Sequence, residues 1–220
     1  MRVYYQDYWA TIYHGDCRDV LPIDGMDLVL TDPPFGIEGG VGGDAKDYGK
    51  GDYSGAFPDT PSYIAEVVVP VIEDCIAFYP AVIVTSGIRN LWKYPQAKDM
   101  GCMWNPAAAT HGPWGMGVFS PILYYGKDWR AGKGALPTGK QCTERSEKNG
   151  HPCVKPMKFW KWLLDKGCPE GSTVLDPFMG SGTTLRAAKD LNRKSIGIEI
   201  EEKYCEIAAN RLAQEVLDFT

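Results

Sequence analysis

Apolar positions along this chain fall into short blocks whose period switches repeatedly between the two-residue repeat of a strand and the three-to-four-residue repeat of a helix. Residues 10–16 and 26–30 predict short strands, each running into an acid-bearing turn, Gly15-Asp16 and Asp32-Pro33-Pro34, with a brief helical turn over 17–21. Residues 62–77 predict a helix, capped by Thr60 or Ser62, with Pro61 suited to its first turn and Pro70 expected to kink it. The unbroken run Ala81-Val82-Ile83-Val84-Thr85 predicts a buried strand, and two more are expected near 101–109 and 120–126. A helix is expected over 155–166, where Phe159, Trp162 and Leu163 share a face. The C-terminal part then reads strand 172–176, helix 182–191, strand 195–200 and helix 202–216, with Ile207 and Leu212 inward. Such alternation predicts an α/β fold, a mostly parallel sheet with helices on both faces, in one domain over 1–220. Two stretches lack any core-forming pattern. Residues 36–55 hold eight glycines in twenty and predict a mobile loop beside the Asp-Pro-Pro turn, a candidate lid. Residues 130–150 are Gly-, Lys- and Thr-rich and also read as loop.

Composition narrows the class without changing this picture. A chain of 220 residues, 44% hydrophobic and 23% charged, suits one ordinary globular domain with a full core. No apolar run approaches the roughly 18 residues of a membrane span, and the first residues lack a signal peptide's apolar core. Seven cysteines, odd in number and without a C-x-x-C pair, argue against a disulfide framework or a zinc knuckle and point to a reducing cytoplasm. The net charge of -5 alone does not suggest nucleic acid. Residues 126–166, however, hold ten Lys/Arg against four acids, a local +6, with Trp129, Phe159, Trp160 and Trp162 among them. A basic segment on an acidic chain suits phosphate tracking as well as it suits a solvated face. Trp160 and Trp162 read as packing before base contact.

Two stretches carry chemistry. In Val174-Leu175-Asp176-Pro177-Phe178-Met179-Gly180-Ser181-Gly182-Thr183-Thr184 a strand ends at Asp176 and a helix begins near Thr183. Gly180 and Gly182 allow a tight bend that brings backbone N–H groups to a ligand. Glu199, 23 residues after Asp176 and at the end of the next strand, is placed to take two ribose hydroxyls. Leu185 stands where a dinucleotide motif has its third glycine, so provision for a pyrophosphate is poor. A nucleoside without phosphate, such as S-adenosylmethionine, fits better.

The other stretch is Thr31-Asp32-Pro33-Pro34-Phe35-Gly36. Pro33 pushes Asp32 towards an extended conformation, and both prolines fix their own φ. Asp32 and the Pro33 carbonyl can each accept one proton of an exocyclic –NH₂. An aromatic amine is a poor nucleophile because its lone pair is delocalised; two acceptors draw it towards a tetrahedral form aimed at a sulfonium methyl. Phe35 would stack on the base, which must leave the duplex to reach such a pocket.

With these residues the chain resembles the amino-group DNA methyltransferases, N6-adenine or N4-cytosine, in the arrangement called the β class, where the Asp-Pro-Pro turn precedes the cofactor loop. Ile12-Tyr13-His14-Gly15-Asp16-Cys17 resembles the family's strand ending in Gly-Asp, which implies that Asp16 meets the cofactor adenine. His151-Pro152-Cys153-Val154-Lys155-Pro156 is similar to the family's His-Pro-Thr-Gln-Lys-Pro, which implies that Lys155 lies beside the cofactor's methionine end. The resemblance implies the methyltransferase Rossmann-like fold, circularly permuted, and S-adenosylmethionine as cofactor. It assigns Asp32, Pro33, Pro34 and Phe35 to catalysis, and Asp16, Lys155, Asp176, Phe178, Gly180, Ser181, Gly182, Thr183 and Glu199 to the cofactor. Asp-Pro-Pro leans to adenine within the family and Ser-Pro-Pro to cytosine. Double-stranded DNA is the implied partner, contacted by Lys127, Arg130, Lys133, Lys140, Arg145 and Lys148. The short recognition segment, 127–150, favours pairing into a homodimer.

Cys153-Val154 departs from the family's Thr-Gln, and Phe35 replaces the commoner Tyr. Gly134 to Gln141 nearly spells a phosphate-binding loop but has Gln141 where Ser or Thr must ligate magnesium. Direct amine methylation needs no thiol, so Cys153 reads as structural. Histidines 14, 111 and 151 lack metal-ligand spacing, and no metal is expected. The rivals are an N4-cytosine, RNA or protein-amide methyltransferase, a non-catalytic DNA-binding module and a nicotinamide-dependent oxidoreductase. Asp32 counts against the amide enzymes, which carry Asn-Pro-Pro-Tyr.

Overall fold

The computed structural model describes residues 1–36, 59–105, 110–112, 115–130, 134, 136–143 and 155–214. The expected lid at 36–55 lies almost wholly outside these residues, as do most of the His151–Pro156 block and half of 130–150. In chain order the strands are β1 (Arg2–Gln6), β2 (Ala10–His14), β3 (Leu28–Thr31), β4 (Ala81–Thr85), β5 (Asp99–Trp104), β6 (Thr110–Gly112), β7 (Gly115–Gly117), β8 (Phe119–Gly126), β9 (Lys140–Gln141), β10 (Thr173–Asp176) and β11 (Lys194–Glu199). The helices are α1 (Pro61–Tyr63), α2 (Val69–Phe78), α3 (Met157–Gly167), α4 (Thr183–Asp190) and α5 (Glu202–Ala213). No helix among the described residues is long and apolar enough to cross a membrane.

Nine strands form one sheet in the order β1-β2-β11-β10-β3-β4-β8-β5-β9. Its centre, β2-β11-β10-β3-β4, is parallel, while β1 and β8 pair antiparallel on either side of it. Late strands are thus inserted between early ones: Val174 and Leu175 pair with Leu28 and Val29. From β10 the chain crosses through α4 to β11 on one side, and from β3 through α2 to β4 on the other. The β10–β3 boundary is therefore a topological switch point, where an open α/β sheet leaves a crevice beyond its carboxyl ends.

Alternation within the strands explains the two covered faces. Leu28, Leu30, Ala81, Ile83 and Val174 point to the side of α3 and α4, while Val29, Val82, Val84 and Leu175 point to the side of α2. Phe159, Trp160, Leu163 and Leu164 of α3 are buried on the first side, so Trp160 is a core residue. A third cluster seats α5 on β2 through Ile12, Leu185, Cys205, Ala208 and Leu212.

Several boundaries differ from expectation for local reasons. The helix predicted over 62–77 starts at Pro61, with Thr60 Oγ1 accepting from the Tyr63 N–H at 3.2 Å, and passes through a π-type turn, Ile64–Val68, before α2. Pro70 offers no N–H, and the chain widens its register just ahead of it, the Val69 N–H reaching back to Ile64 O. Strand β5 covers 99–104, set by its register against β8 from Asp99↔Tyr124 to Trp104↔Phe119. The edge strands β1 and β9 carry no apolar alternation that announces them.

Candidate active site

All the carboxylates singled out in the sequence stand at the carboxyl ends of the parallel strands: Asp16 after β2, Asp32 after β3, Asp176 ending β10 and Glu199 ending β11.

Asp176 is 3% exposed and sits at the switch point itself. It accepts from Thr31 Oγ1 at 2.7 Å, Thr184 Oγ1 at 2.5 Å and the Phe178 N–H at 3.1 Å. Trp160 Nε1 in turn donates to Thr184 Oγ1 at 2.9 Å. This network ties β3, β10, α3 and α4 together, so Asp176 positions the loop. Burial raises its carboxyl to about 6, against the lowering pull of those donors.

Glu199, 7% exposed, clasps the glycine loop to its own strand: Oε2 accepts from the Gly180 N–H and Oε1 from the Glu201 N–H, both at 2.8 Å. Each oxygen keeps a further lone pair for a hydroxyl donor. Burial pushes this carboxyl up to about 7. The loop turns at Gly182, φ 75°, where an added Cβ would lie 2.7 Å from that of Ala208 on α5. Beneath it the buried Arg211 donates to Ser181 O at 3.0 Å and Thr183 Oγ1 at 3.1 Å. Arg211 was not anticipated from the sequence, because its partners lie 28 and 30 residues away. Phe178 is half-buried and Asp16 is held below the usual carboxylate range by the Arg18 side chain.

Two carboxylates with folded pKa values above their ordinary ones bind more protons in the fold than in the unfolded chain. Their ionisation therefore costs stability as pH rises through about 6 and 7. The ligand-free protein is expected to melt several degrees lower at pH 8 than at pH 5.5, as followed by circular dichroism. An unchanged or higher melting temperature at pH 8 would contradict this.

The Asp-Pro-Pro turn lies directly across from this loop. Asp32 Oδ1 accepts from Thr85 Oγ1 at the end of β4, and Oδ2 pairs with the Lys155 ammonium. That ammonium also stands 4.9 Å from the Phe35 ring centroid. Lys155, which the resemblance assigns to the cofactor's methionine end, is ion-paired with Asp32. Thr85 is an addition that only the β3–β4 register could reveal. The Phe35 ring lies on Gly87 (φ 63°), where a Cβ would come within 2.9 Å of it. The Phe35 carbonyl accepts from Asn90 Nδ2 at 2.7 Å and the Gly36 N–H donates to Asp59 Oδ1 at 2.5 Å. Pro33 is buried and Pro34 half-buried. Among the described residues no hydrogen bond reaches the Pro33 carbonyl.

Among the described residues, the expected DNA contacts Lys127, Arg130 and Lys140 do not lie together. Lys127 follows β8 at the opposite end of the sheet, its N–H bonded to Pro80 O and its ammonium 3.5 Å from the Trp129 ring centroid. Arg130 lies at that far end too, with Nε on Asp165 O. Lys140, on the edge strand β9 beside Met103, is at the catalytic end but four strands from β3, about 19 Å at ~4.8 Å per strand. Lys133, Arg145 and Lys148 lie outside the described residues.

The sheet, its switch point and the loop bounded by Gly180, Gly182 and Glu199 define the S-adenosylmethionine-dependent methyltransferase fold. Two solved structures share it. The M1.HpyAVI–SAM complex has a TM-score of 0.66 and 21% identity, covering 93% of this chain and 100% of that one. The PvuII DNA methyltransferase (cytosine-N4-specific) has a TM-score of 0.67 and 16% identity, covering 96% and 88%.

The N6/N4 methyltransferase family model, described as DNA methylase, matches residues 84–210, and the chain belongs to that family. Among curated relatives, the Type II methyltransferase M.HindIII of Haemophilus influenzae is 43% identical over 90 residues, 40% of this chain and 29% of that protein. The chain thus spans less than a third of that relative. M2.DpnII of Streptococcus pneumoniae, a Type II methyltransferase, aligns over 96% of this chain and 92% of its own length at 26% identity.

Proposed function

We propose that the chain transfers a methyl group from S-adenosylmethionine to the N6 amine of adenine in double-stranded DNA, acting on a base turned out of the duplex. The observation that carries this reading is the Asp32 carboxylate, oriented by Thr85 and Lys155, set one strand from the glycine loop with the Phe35 ring beside it. The residues at the loop suit this cofactor. Asp16 and Glu199 offer acceptors for a nucleoside, and Leu185 stands where a pyrophosphate-binding loop has its third glycine, which favours a nucleoside without phosphate. Glu199 would take the ribose hydroxyls on its remaining lone pairs, the Gly180–Thr183 backbone would face the ligand, and Asp16 would meet the adenine.

Bound there, S-adenosylmethionine supplies an electrophilic methyl on sulfur. Asp32 and the Pro33 carbonyl would each accept a hydrogen bond from one amine N–H, localising the nitrogen lone pair and aiming it at that methyl. Phe35 would hold the ring plane. The Lys155 ammonium occupies an oxygen that the amine needs, so it would yield that oxygen as the base enters. Asp32 is then the nearest carboxylate for the proton that the methylated nitrogen sheds.

Hydroxyl donors on Glu199 favour its ionised form, so cofactor affinity should rise with pH across the range where burial holds this group protonated. Calorimetric titration with S-adenosylmethionine is expected to show roughly three- to tenfold tighter binding at pH 8 than at pH 6. Affinity independent of pH would remove Glu199 from the ribose.

Incubation with methyl-labelled cofactor and genomic DNA, followed by digestion to nucleosides, tests the function. Label in N6-methyladenine supports it. Label in N4-methylcytosine, which the relationship to the cytosine-N4-specific PvuII fold keeps in view, corrects the base. Transfer only to RNA or protein overturns it.

A further inference from the structure

The chain leaves β4 over the candidate site and runs to the buried Tyr94, touching the interior on the way at Ser86, Gly87 and Asn90. Thr85 is on Asp32, Gly87 lies under the Phe35 ring, and Asn90, 4% exposed, holds the Phe35 carbonyl. Tyr94 is 7% exposed. Between these anchors the strip presents an unusual set of side chains outward. Trp92, in the single helical turn Leu91–Lys93, is 89% exposed, more than any other large apolar side chain among the described residues. Ile88 is 49% exposed beside it. Arg89 is exposed and has no ion-pair partner among the described residues. Lys93 is also exposed and leans its ammonium on Pro61 O at 2.6 Å. Arg89, Asn90 and Lys93 line an open cleft against Gly36 and Pro61, the downstream edge of the catalytic turn.

An indole held almost wholly in water gains the fold nothing, yet its backbone is fixed on both sides by buried residues. We infer that Ile88–Lys93 is a DNA-contact element of the active site, in which Arg89 takes a backbone phosphate and Trp92 stacks on a base next to the one withdrawn. Three observations point to nucleic acid as the occupant. The two exposed cations complement a polyanion, and a base drawn to Phe35 leaves a π face uncovered in the duplex. Trp92 is also only two residues, at most about 7 Å of chain, from the Asn90 anchor on the catalytic turn. The strip offers charge at the catalytic end of the sheet, where Lys127 and Arg130 do not.

The inference rests on DNA as substrate, and binding is therefore measured apart from transfer. Trp92→Ala, Trp92→Phe and Arg89→Ala are compared with the wild type for affinity to a fluorescent duplex across a salt series, for cofactor affinity by calorimetry, and for steady-state transfer to genomic DNA. Trp92→Ala is expected to weaken duplex binding and raise KM for DNA about tenfold, with Trp92→Phe recovering most of the loss. Arg89→Ala should weaken binding severalfold and reduce the salt slope by about 1. Cofactor affinity and melting temperature should stay at wild-type values, because both side chains are exposed. Wild-type DNA affinity, salt slope and KM in both alanine variants, with a wild type that methylates DNA, would overturn the inference alone. A wild type that binds DNA without methylating it would overturn the proposed reaction, and the binding series would still decide the strip.

Discussion

Replacing Asp32 with alanine is expected to lower the rate of methyl transfer by about 10²–10³-fold while cofactor affinity stays within about twofold. The carboxylate is 21% exposed, and among the described residues its hydrogen bonds go to Thr85 and Lys155 and not to the glycine loop. In the proposed reaction its loss removes an acceptor for the amine, while the Glu199 clasp on Gly180 stays intact. Asp32→Asn keeps the shape but turns one acceptor into a donor that faces the Lys155 ammonium and the substrate's own N–H groups, so it should rescue little. Single-turnover transfer with the cofactor preloaded separates this from a defect in cofactor binding. An equal loss in rate and in cofactor affinity would mean that Asp32 holds the site together and does not act on the amine.

The reverse pattern is expected at Asp176. Alanine there removes the acceptor of the buried Thr31 hydroxyl and of the Phe178 N–H, leaves the Thr184 hydroxyl only Leu30 O at 3.5 Å, and breaks a polar link between β3, β10, α3 and α4. Orphaned buried donors cost about 1–3 kcal/mol each, but the raised pKa shows that Asp176 itself is desolvated, which offsets part of the loss. A net destabilisation of about 3 kcal/mol, or a fall of about 6–12 °C in melting temperature, is the expected result. Asp176→Asn should recover part of it: the amide oxygen can keep the Thr31 hydroxyl and the Phe178 N–H, while the Thr184 hydroxyl turns towards Leu30 O and accepts from the amide nitrogen. A fully stable Asp176→Ala protein that fails only to bind the cofactor would instead make Asp176 a direct ligand.

The two stretches that announce the chemistry could be read from the sequence because their constraints are local. Pro33 and Pro34 stiffen the turn wherever it is placed, and Gly180 and Gly182 bend the strand-to-helix loop whatever surrounds it. What could not be read depends on register. Thr85 meets Asp32 because β4 pairs with β3, and Lys155 reaches the same carboxylate from 123 residues away. Trp160 looked ambiguous between packing and base contact until α3 settled on the sheet and turned its indole N–H to Thr184. The placement of the basic segment depends on register in the same way. Residues close in sequence follow β8, an edge strand and α3 along the length of the sheet, which carries Lys127 and Arg130 to one end and Lys140 to the other. Local charge density was visible, but the end of the molecule on which it falls was not. The exposed strip after β4 escaped notice because Trp92 and Arg89 sit singly between polar neighbours, with no run or period to mark them.

In the proposed reaction the turn at 32–35 presents an amine to a methyl group held by the loop at 176–183 and Glu199. The most direct test is a rapid-quench single turnover. Protein preloaded with methyl-labelled S-adenosylmethionine is mixed with excess duplex DNA, and the label is traced to nucleosides. The prediction is one exponential burst, approaching one label per bound cofactor, in the exocyclic amine of adenine, with no burst from Asp32→Ala holding the same amount of cofactor. A burst of equal size and rate from that variant, or label appearing only outside the exocyclic amines of DNA, would contradict it.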